Sequence, residues 1–144
     1  ALEAAQAVSD GASEIDMVAN LGWISSGDWS NLENEVAAVR RAISANVVLK
    51  VILETGLWSS EQIIAACKHS VLGGADYVKT STGFHKAGGA SLEAVRTMRN
   101  TVGADIGVKA SGGIRTTADA LAMIEAGASR IGASASRVIL SGLK

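Results

Sequence analysis

The sequence predicts an α/β fold built on a parallel sheet, and three observations carry the prediction. Short apolar segments alternate with stretches of helical periodicity at a spacing of about 30 residues, as βαβ units require. A Gly-Ala pair recurs just ahead of four of these segments, at Gly11-Ala12, Gly74-Ala75, Gly103-Ala104 and Gly127-Ala128. No linker, low-complexity run or block of like charge divides the 144 residues, so a single domain is expected over 1–144.

The strands are expected at Glu14–Val18, Val47–Leu53, Asp76–Thr80, Asp105–Ala110 and Arg130–Ala133. A glycine that ends a helix takes the left-handed backbone at little cost, so each Gly-Ala pair marks helix end, loop and strand start. Between them, Leu32, Val36, Val39 and Ile43 repeat at i, i+4, i+7 and i+11, one face of a helix. Ile63, Cys67 and Val71 repeat the pattern, then Leu92, Val95 and Met98, then Leu121 and Ile124. Ser59 with Gln62, and Thr116 with Asp119, have capping-box spacing at helix starts.

Five strands are too few for a closed (β/α)8 barrel, which takes about 250 residues. The choice lies between an open doubly wound sheet and the later part of a barrel. A dinucleotide-binding sheet carries its glycine-rich turn after the first strand, where this chain reads Val18-Ala19-Asn20-Leu21-Gly22. Here the glycines follow the last two strands, in Ser111-Gly112-Gly113 and Gly132-Ala133-Ser134, where barrels commonly seat a phosphate. The expected fold is therefore α/β of the TIM (β/α)8 barrel family, covering about its last five β/α units.

Composition narrows the function. With 13 basic and 14 acidic residues the net charge is -1, which gives no field for nucleic acid. Mean hydropathy is +0.27, yet no apolar run approaches the roughly 20 residues of a membrane helix, so no membrane partner is expected. One cysteine excludes an internal disulfide, and no leader pattern is visible, so a cytoplasmic location is expected. Cys67 lies on an apolar helix face and reads as core. His69 and His85, the two histidines, are too few and too separated for a metal cluster, so no metal is expected.

Three strands carry a lysine: Lys50, Lys79 and Lys109. Side chains alternate along a strand, which puts Lys79 on a face with Tyr77 and Ser81, Lys109 with Gly107 and Ser111, and Lys50 with Ile52 and Glu54. Two ammonium groups about 5.5 Å apart at an effective dielectric of about 20 repel by about 3 kcal/mol. That is about two pKa units, enough to bring one amine toward neutrality. A neutral amine is what attack on a carbonyl needs. The plain alternative is that these lysines reach solvent from strand ends, or pair with Asp16 and Glu54. Asp16 intrudes on an apolar strand either to neutralise a lysine or to relay protons.

Gly83, Gly112, Gly113, Gly132 and Ser134 form the expected anion seat, since glycine lets backbone N–H groups approach a phosphate closely. Arg115 is a further cation there, with a solvated position an equal alternative. Trp23, Trp29 and Trp58 lie in or beside strand-to-helix loops, either covering substrate or packing.

These residues converge on a family. The segments Glu14–Val18, Leu49–Thr55, Tyr77–Gly83, Val108–Arg115 and Ile131–Ser134 occur in order, and the chain resembles the 2-deoxyribose-5-phosphate aldolases, class I aldolases on a TIM barrel. The resemblance runs from Ala1 to Lys144. It implies a lyase that reversibly cleaves 2-deoxy-D-ribose 5-phosphate to D-glyceraldehyde 3-phosphate and acetaldehyde, without a cofactor. It implies Lys79 as the Schiff-base lysine, Lys109 as the lysine that lowers its pKa and shares in proton transfer, and Asp16 as the relay. Gly83, Gly112, Gly113, Gly132 and Ser134 match phosphate contacts, with Thr82 beside them and Lys50 as electrostatic support. Many members place Lys directly after Ser-Thr-Gly, where this chain has Phe84-His85-Lys86. The match also implies three barrel strands ahead of Ala1. The partners expected are a small phosphorylated sugar and aldehydes, in a homo-oligomer. The competing expectation is a catalytically silent half-barrel that binds phosphate or associates with itself.

Overall fold

The computed structural model describes residues 1–143. Its elements run α1 (Leu2–Ser9), β1 (Glu14–Val18), α2 (Leu21–Ser26), α3 (Trp29–Ala42), β2 (Val48–Ile52), a 3-10 turn (Thr55–Leu57) and α4 (Ser60–Leu72). They continue with β3 (Tyr77–Lys79), α5 (Leu92–Val102), β4 (Gly107–Ser111), α6 (Thr117–Glu125), β5 (Arg130–Gly132) and α7 (Ser136–Ser141).

The strands pair in parallel in the order β1-β2-β3-β4-β5. A doubly wound sheet reverses its strand order and covers both faces, whereas this sheet never reverses. Its helices bury one face only. Leu49, Val51, Val78, Val108 and Ala110 are fully buried and form one cluster with Leu32, Val36, Ala66, Cys67, Val95 and Met98 of the helices. The alternate strand positions, Asp16, Lys50, Lys79 and Lys109, face the other way and carry the polar groups. That is a barrel wall: apolar outside against helices, charged within.

The recurrent glycines work as expected and do a second job. Gly11, Gly74, Gly103 and Gly127 all have positive φ, between 72° and 113°. A Cβ on Gly74 would lie 2.8 Å from Arg40 Cγ, and one on Gly127 would lie 2.7 Å from Arg99 Cβ. Each of these two glycines thus leaves a channel for an arginine that staples loops together. Arg40 donates to Asp76 Oδ2 and to the carbonyls of Ser44 and Val47. Arg99 donates to the carbonyls of Gly127, Gly103 and Ile106.

Both expected capping boxes form, Ser59 with Gln62 on α4 and Thr116 with Asp119 on α6. Two expectations need correction. Leu121 and Ile124 do not face the core; they are 51% and 53% exposed, and α6 buries Ala120 and Met123 instead. The buried face of α6 is therefore rotated by about one residue from the Leu121–Ile124 stripe, with Ala120 and Met123 turned inward. Helix α2 occupies part of what reads as a loop, capped by Asn20 Oδ1 accepting from Gly22 N–H and ended by Gly27 at φ 71°. Of the two roles weighed for the tryptophans, Trp29 and Trp58 take the packing one. Trp29 stacks on His69 with centroids 6.1 Å apart, and Trp58 Nε1 donates to the Leu53 carbonyl at 2.7 Å.

Gly73 sits where α4 meets α3, and a Cβ there would lie 2.7 Å from Val36 Cβ and 2.8 Å from the Glu33 carbonyl oxygen. Gly73→Ala is expected to lose about 1–3 kcal/mol by overpacking. Gly11→Ala, which meets nothing within 4 Å but has φ 107°, loses only about 1–2 kcal/mol of backbone preference. Denaturant titration of the two variants checks the order.

Candidate active site

Register builds the site. Asp16 lies level with Lys50 and Tyr77, and Lys79 lies level with Lys109. The three lysines therefore converge on one carboxylate. Lys50 Nζ donates to Asp16 Oδ2 at 2.9 Å, while Lys79 Nζ and Lys109 Nζ both donate to Oδ1, at 2.8 and 2.9 Å. The nitrogens of Lys79 and Lys109 are thus no further apart than those two bonds laid end to end. Their side chains are 12% and 16% exposed, reachable from the cavity but mostly shielded from water.

Lys50 is different. It is 1% exposed and held by a second carboxylate, Glu14 Oε2, at 2.8 Å. Glu14 in turn accepts from Arg130 Nη1 at 2.6 Å, and the Arg130 guanidinium lies 4.9 Å from the centroid of the Tyr77 ring. Gly107 makes that stack possible, because a Cβ on it would enter the Tyr77 ring. Glu14–Arg130 joins β1 to β5, the two edges of the sheet.

The electrostatics differ from the simple repulsion argument. Burial tends to raise the Asp16 carboxyl, but its hydrogen bonds from Lys79, Lys109 and Lys50 outweigh that and leave it far below the usual carboxylate range. Burial is the leading cause that lowers Lys109; Asp16 opposes it, and repulsion from Lys79 and Lys50 adds to the lowering. Glu14 is held low by Lys50 and then by Arg130. Asp16 therefore neutralises the lysines, and one of its oxygens lies within hydrogen-bond distance of two amines.

The ends of β3 and β4 are locked by Thr80, whose buried hydroxyl donates to the Ser111 carbonyl at 3.1 Å and accepts from Ser111 N–H at 3.0 Å. Just beyond lies a cavity of about 390 Å³. Lys79 and Lys109 line it together with Thr82, Gly83, Gly112, Gly113, Gly132 and Ser134. Gly83, Gly112 and Gly113 have φ of 88°, 86° and 80°, a backbone that turns N–H groups where a side chain would obstruct them. A Cβ on Gly132 would lie 2.8 Å from Ser111 Oγ and 3.3 Å from Lys109 Cε, so glycine there keeps the floor open. Arg115 is exposed at the rim.

Structure adds residues that the sequence pattern did not select. Ser111 lines the cavity with a buried hydroxyl that has no partner; its parity with Lys109 was the available signal. Glu54 is not a lysine partner: its carboxylate accepts from Thr82 N–H and Thr82 Oγ1. Alternation fails there because β2 ends at Ile52 and the backbone turns at Glu54. Cys67 is core as expected, its thiol pushed up to about 12 by burial. His69 bonds Glu33, and His85 accepts from Ala87 N–H in its own loop.

Asp16 gains its lysines only on folding, so its folded pKa lies below the unfolded value of about 3.9. The stability it contributes is complete above that value and is lost as pH falls through the folded pKa. Asp16→Asn is expected to cost about 1–3 kcal/mol at pH 7. The gap to the unsubstituted protein narrows below about pH 4, where unfolded carboxylates protonate. Denaturant titration of both proteins at pH 7 and pH 3 measures it.

Comparison with known proteins agrees with this architecture. The chain is 59% identical over 143 residues to the deoxyribose-phosphate aldolase of Kocuria rhizophila and, equally, to that of Corynebacterium diphtheriae. Each alignment covers 99% of this chain and 66% of the relative. The fold superposes with a TM-score of 0.91 on the structure described as QR15, an aldolase, at 42% identity, covering 99% of this chain and 63% of the other. It also superposes on a putative deoxyribose-phosphate aldolase from Coccidioides immitis, with a TM-score of 0.91, 45% identity and 57% of that chain covered. The chain thus spans about two thirds of the length of the curated relatives it matches, and its five parallel strands are about the last five β/α units of a TIM-type barrel. The sequence profile of the DeoC/LacD family aldolases matches residues 1–142, and the chain belongs to that family.

Proposed function

We propose that the chain carries the reactive machinery of a class I aldolase that reversibly cleaves 2-deoxy-D-ribose 5-phosphate into D-glyceraldehyde 3-phosphate and acetaldehyde. The observation that carries this is one cavity lined both by two lysines and by a glycine-rich set of loops. An aldehyde with a phosphate a few carbons away fits such a cavity: the carbonyl meets an amine and the phosphate meets backbone N–H groups.

On this proposal Lys79 Nζ adds to the C1 aldehyde, water leaves, and a protonated imine forms. The C3 hydroxyl gives up its proton, the C2–C3 bond breaks, and its electron pair runs into the imine to leave an enamine on Lys79. Glyceraldehyde 3-phosphate departs. The enamine takes a proton at C2, and water releases acetaldehyde. The protonated imine is the electron sink, and the steps balance without a cofactor. Lys109 and Asp16 hand protons on and off, since Asp16 Oδ1 touches both amines. Lys50 lies between two carboxylates and supports the cluster electrostatically. Gly83, Gly112, Gly113, Gly132 and Ser134 hold the phosphate, with Thr82 alongside.

We also read residues 1–144 as one partial barrel domain, in a cytoplasmic protein that forms a homo-oligomer. A relative from Aeropyrum pernix, 36% identical, is described as a tetrameric deoxyribose phosphate aldolase. No helix among the described residues is long and apolar enough to cross a membrane. A second reading, a silent phosphate-binding or self-associating half-barrel, is favoured by the edge strand β1, which with α1 borders a cavity of about 480 Å³.

Borohydride reduction in the presence of acetaldehyde is expected to add an ethyl group to Lys79, located by peptide mapping. Lys79→Leu abolishes the adduct and turnover while far-UV circular dichroism stays unchanged, and Lys109→Leu lowers turnover by about 10²–10⁴-fold. An adduct on another lysine, or none, rejects the aldolase reading. Phosphate binding without an adduct, with a concentration-dependent oligomer, supports the silent module.

A further inference from the structure

Among the described residues Glu54 is the one non-glycine with positive φ, at 56°, and it is 2% exposed. A buried carboxylate on a left-handed backbone is doubly unfavourable, and such a residue persists where its surroundings hold it for a purpose. Its partner is not a cation. Glu54 Oε2 accepts from Thr82 Oγ1 at 2.7 Å, and both carboxylate oxygens accept from Thr82 N–H at 3.3 Å. The Thr82 hydroxyl in turn accepts from Phe84 N–H at 3.2 Å. The chain of bonds thus spans Gly83 on both sides and fixes the turn that carries it. Leu53 N–H and Thr55 N–H donate to the carbonyls of Lys79 and Thr80, so the backbone on either side of Glu54 is also tied to the end of β3.

The arrangement gives Thr82 a different part from the one its position implies. Its hydroxyl proton is committed to Glu54, so it does not donate to an anion in the cavity. We infer that Glu54 is a positioning residue of the anion seat, which acts through Thr82 to hold the turn that presents the Gly83 N–H to a phosphate, the N–H groups of Thr82 and Phe84 being engaged within the turn itself. The inference rests on the phosphate end of the proposed function and not on the imine chemistry.

The test uses the 144-residue chain, inorganic phosphate as probe, and three variants: Glu54→Gln, Glu54→Gly and Glu54→Ala. Glycine accepts φ 56° without strain, so Glu54→Gly removes the carboxylate while relieving the backbone; glutamine keeps an acceptor for the Thr82 hydroxyl. Calorimetry is expected to show phosphate affinity falling about tenfold or more in Glu54→Gly and Glu54→Ala, with Glu54→Gln between them and the unsubstituted chain. Borohydride trapping with acetaldehyde, which carries no phosphate, falls far less than phosphate affinity in the same variants. Unchanged phosphate affinity in folded Glu54→Gly overturns the inference, as does a parallel loss of trapping and phosphate binding, or no phosphate binding by the unsubstituted chain. Failure to trap acetaldehyde in the unsubstituted chain sinks the aldolase proposal but leaves the Glu54 comparison readable.

Discussion

The inner face of this sheet depends on the carboxylate of Asp16. Lys50, Lys79, Lys109 and Arg130 face only Asp16 and Glu14. An ammonium as buried as Lys50 is costly unless paired, and it is paired twice. Without Asp16 the amines of Lys79 and Lys109 face each other with no anion between them. The same carboxylate also lowers the cost of keeping the half-buried pair at the mouth of the cavity, where burial already weighs against the charged form of Lys109. The excess of cations over carboxylates favours an anionic ligand and favours releasing one proton from the cluster.

The cavity is built by two different means. Its lysines are side chains placed by strand register and locked by Thr80. Its glycines contribute backbone, placed by positive φ at Gly83, Gly112 and Gly113. Side chains can change protonation during a reaction, whereas backbone N–H groups cannot. That division suits a ligand whose reacting carbon changes charge while its anion does not.

Much of this was legible in the sequence, for identifiable reasons. Strand parity put Lys79 and Lys109 on one face because both lie inside regular strands. The Gly-Ala pairs marked loops because each needs a glycine φ. Legibility ended where regular backbone ended. Parity assigned Glu54 to the lysines, but Glu54 lies past β2 on a left-handed turn and points to Thr82. Periodicity assigned Leu121 and Ile124 to the core, but Ala120 and Met123 have the same i, i+3 spacing one residue earlier, and it is that pair which fills it. That one lysine would be lowered was legible from repulsion, but the leading cause at Lys109 was not, since burial is a property of the packed wall.

Asp16 also bears on why a lysine pair should drive the proposed chemistry rather than merely survive. A protonated imine on Lys79 keeps one N–H and its positive charge, so it can keep its bond to Asp16 Oδ1. When the C2–C3 bond breaks, that charge is neutralised in the enamine. The step weakens attraction to Asp16, which favours the imine, but it removes repulsion from Lys109 and Lys50, which favours the enamine. Because Asp16 Oδ1 is shared with Lys109, the carboxylate compensates by strengthening its bond to that amine as Lys79 loses charge. The two effects oppose each other across one shared carboxylate. A reversible reaction is served by that opposition, since the same cluster supports both charge states of the proposed mechanism and Lys109 lies where a proton can return through Asp16 Oδ1.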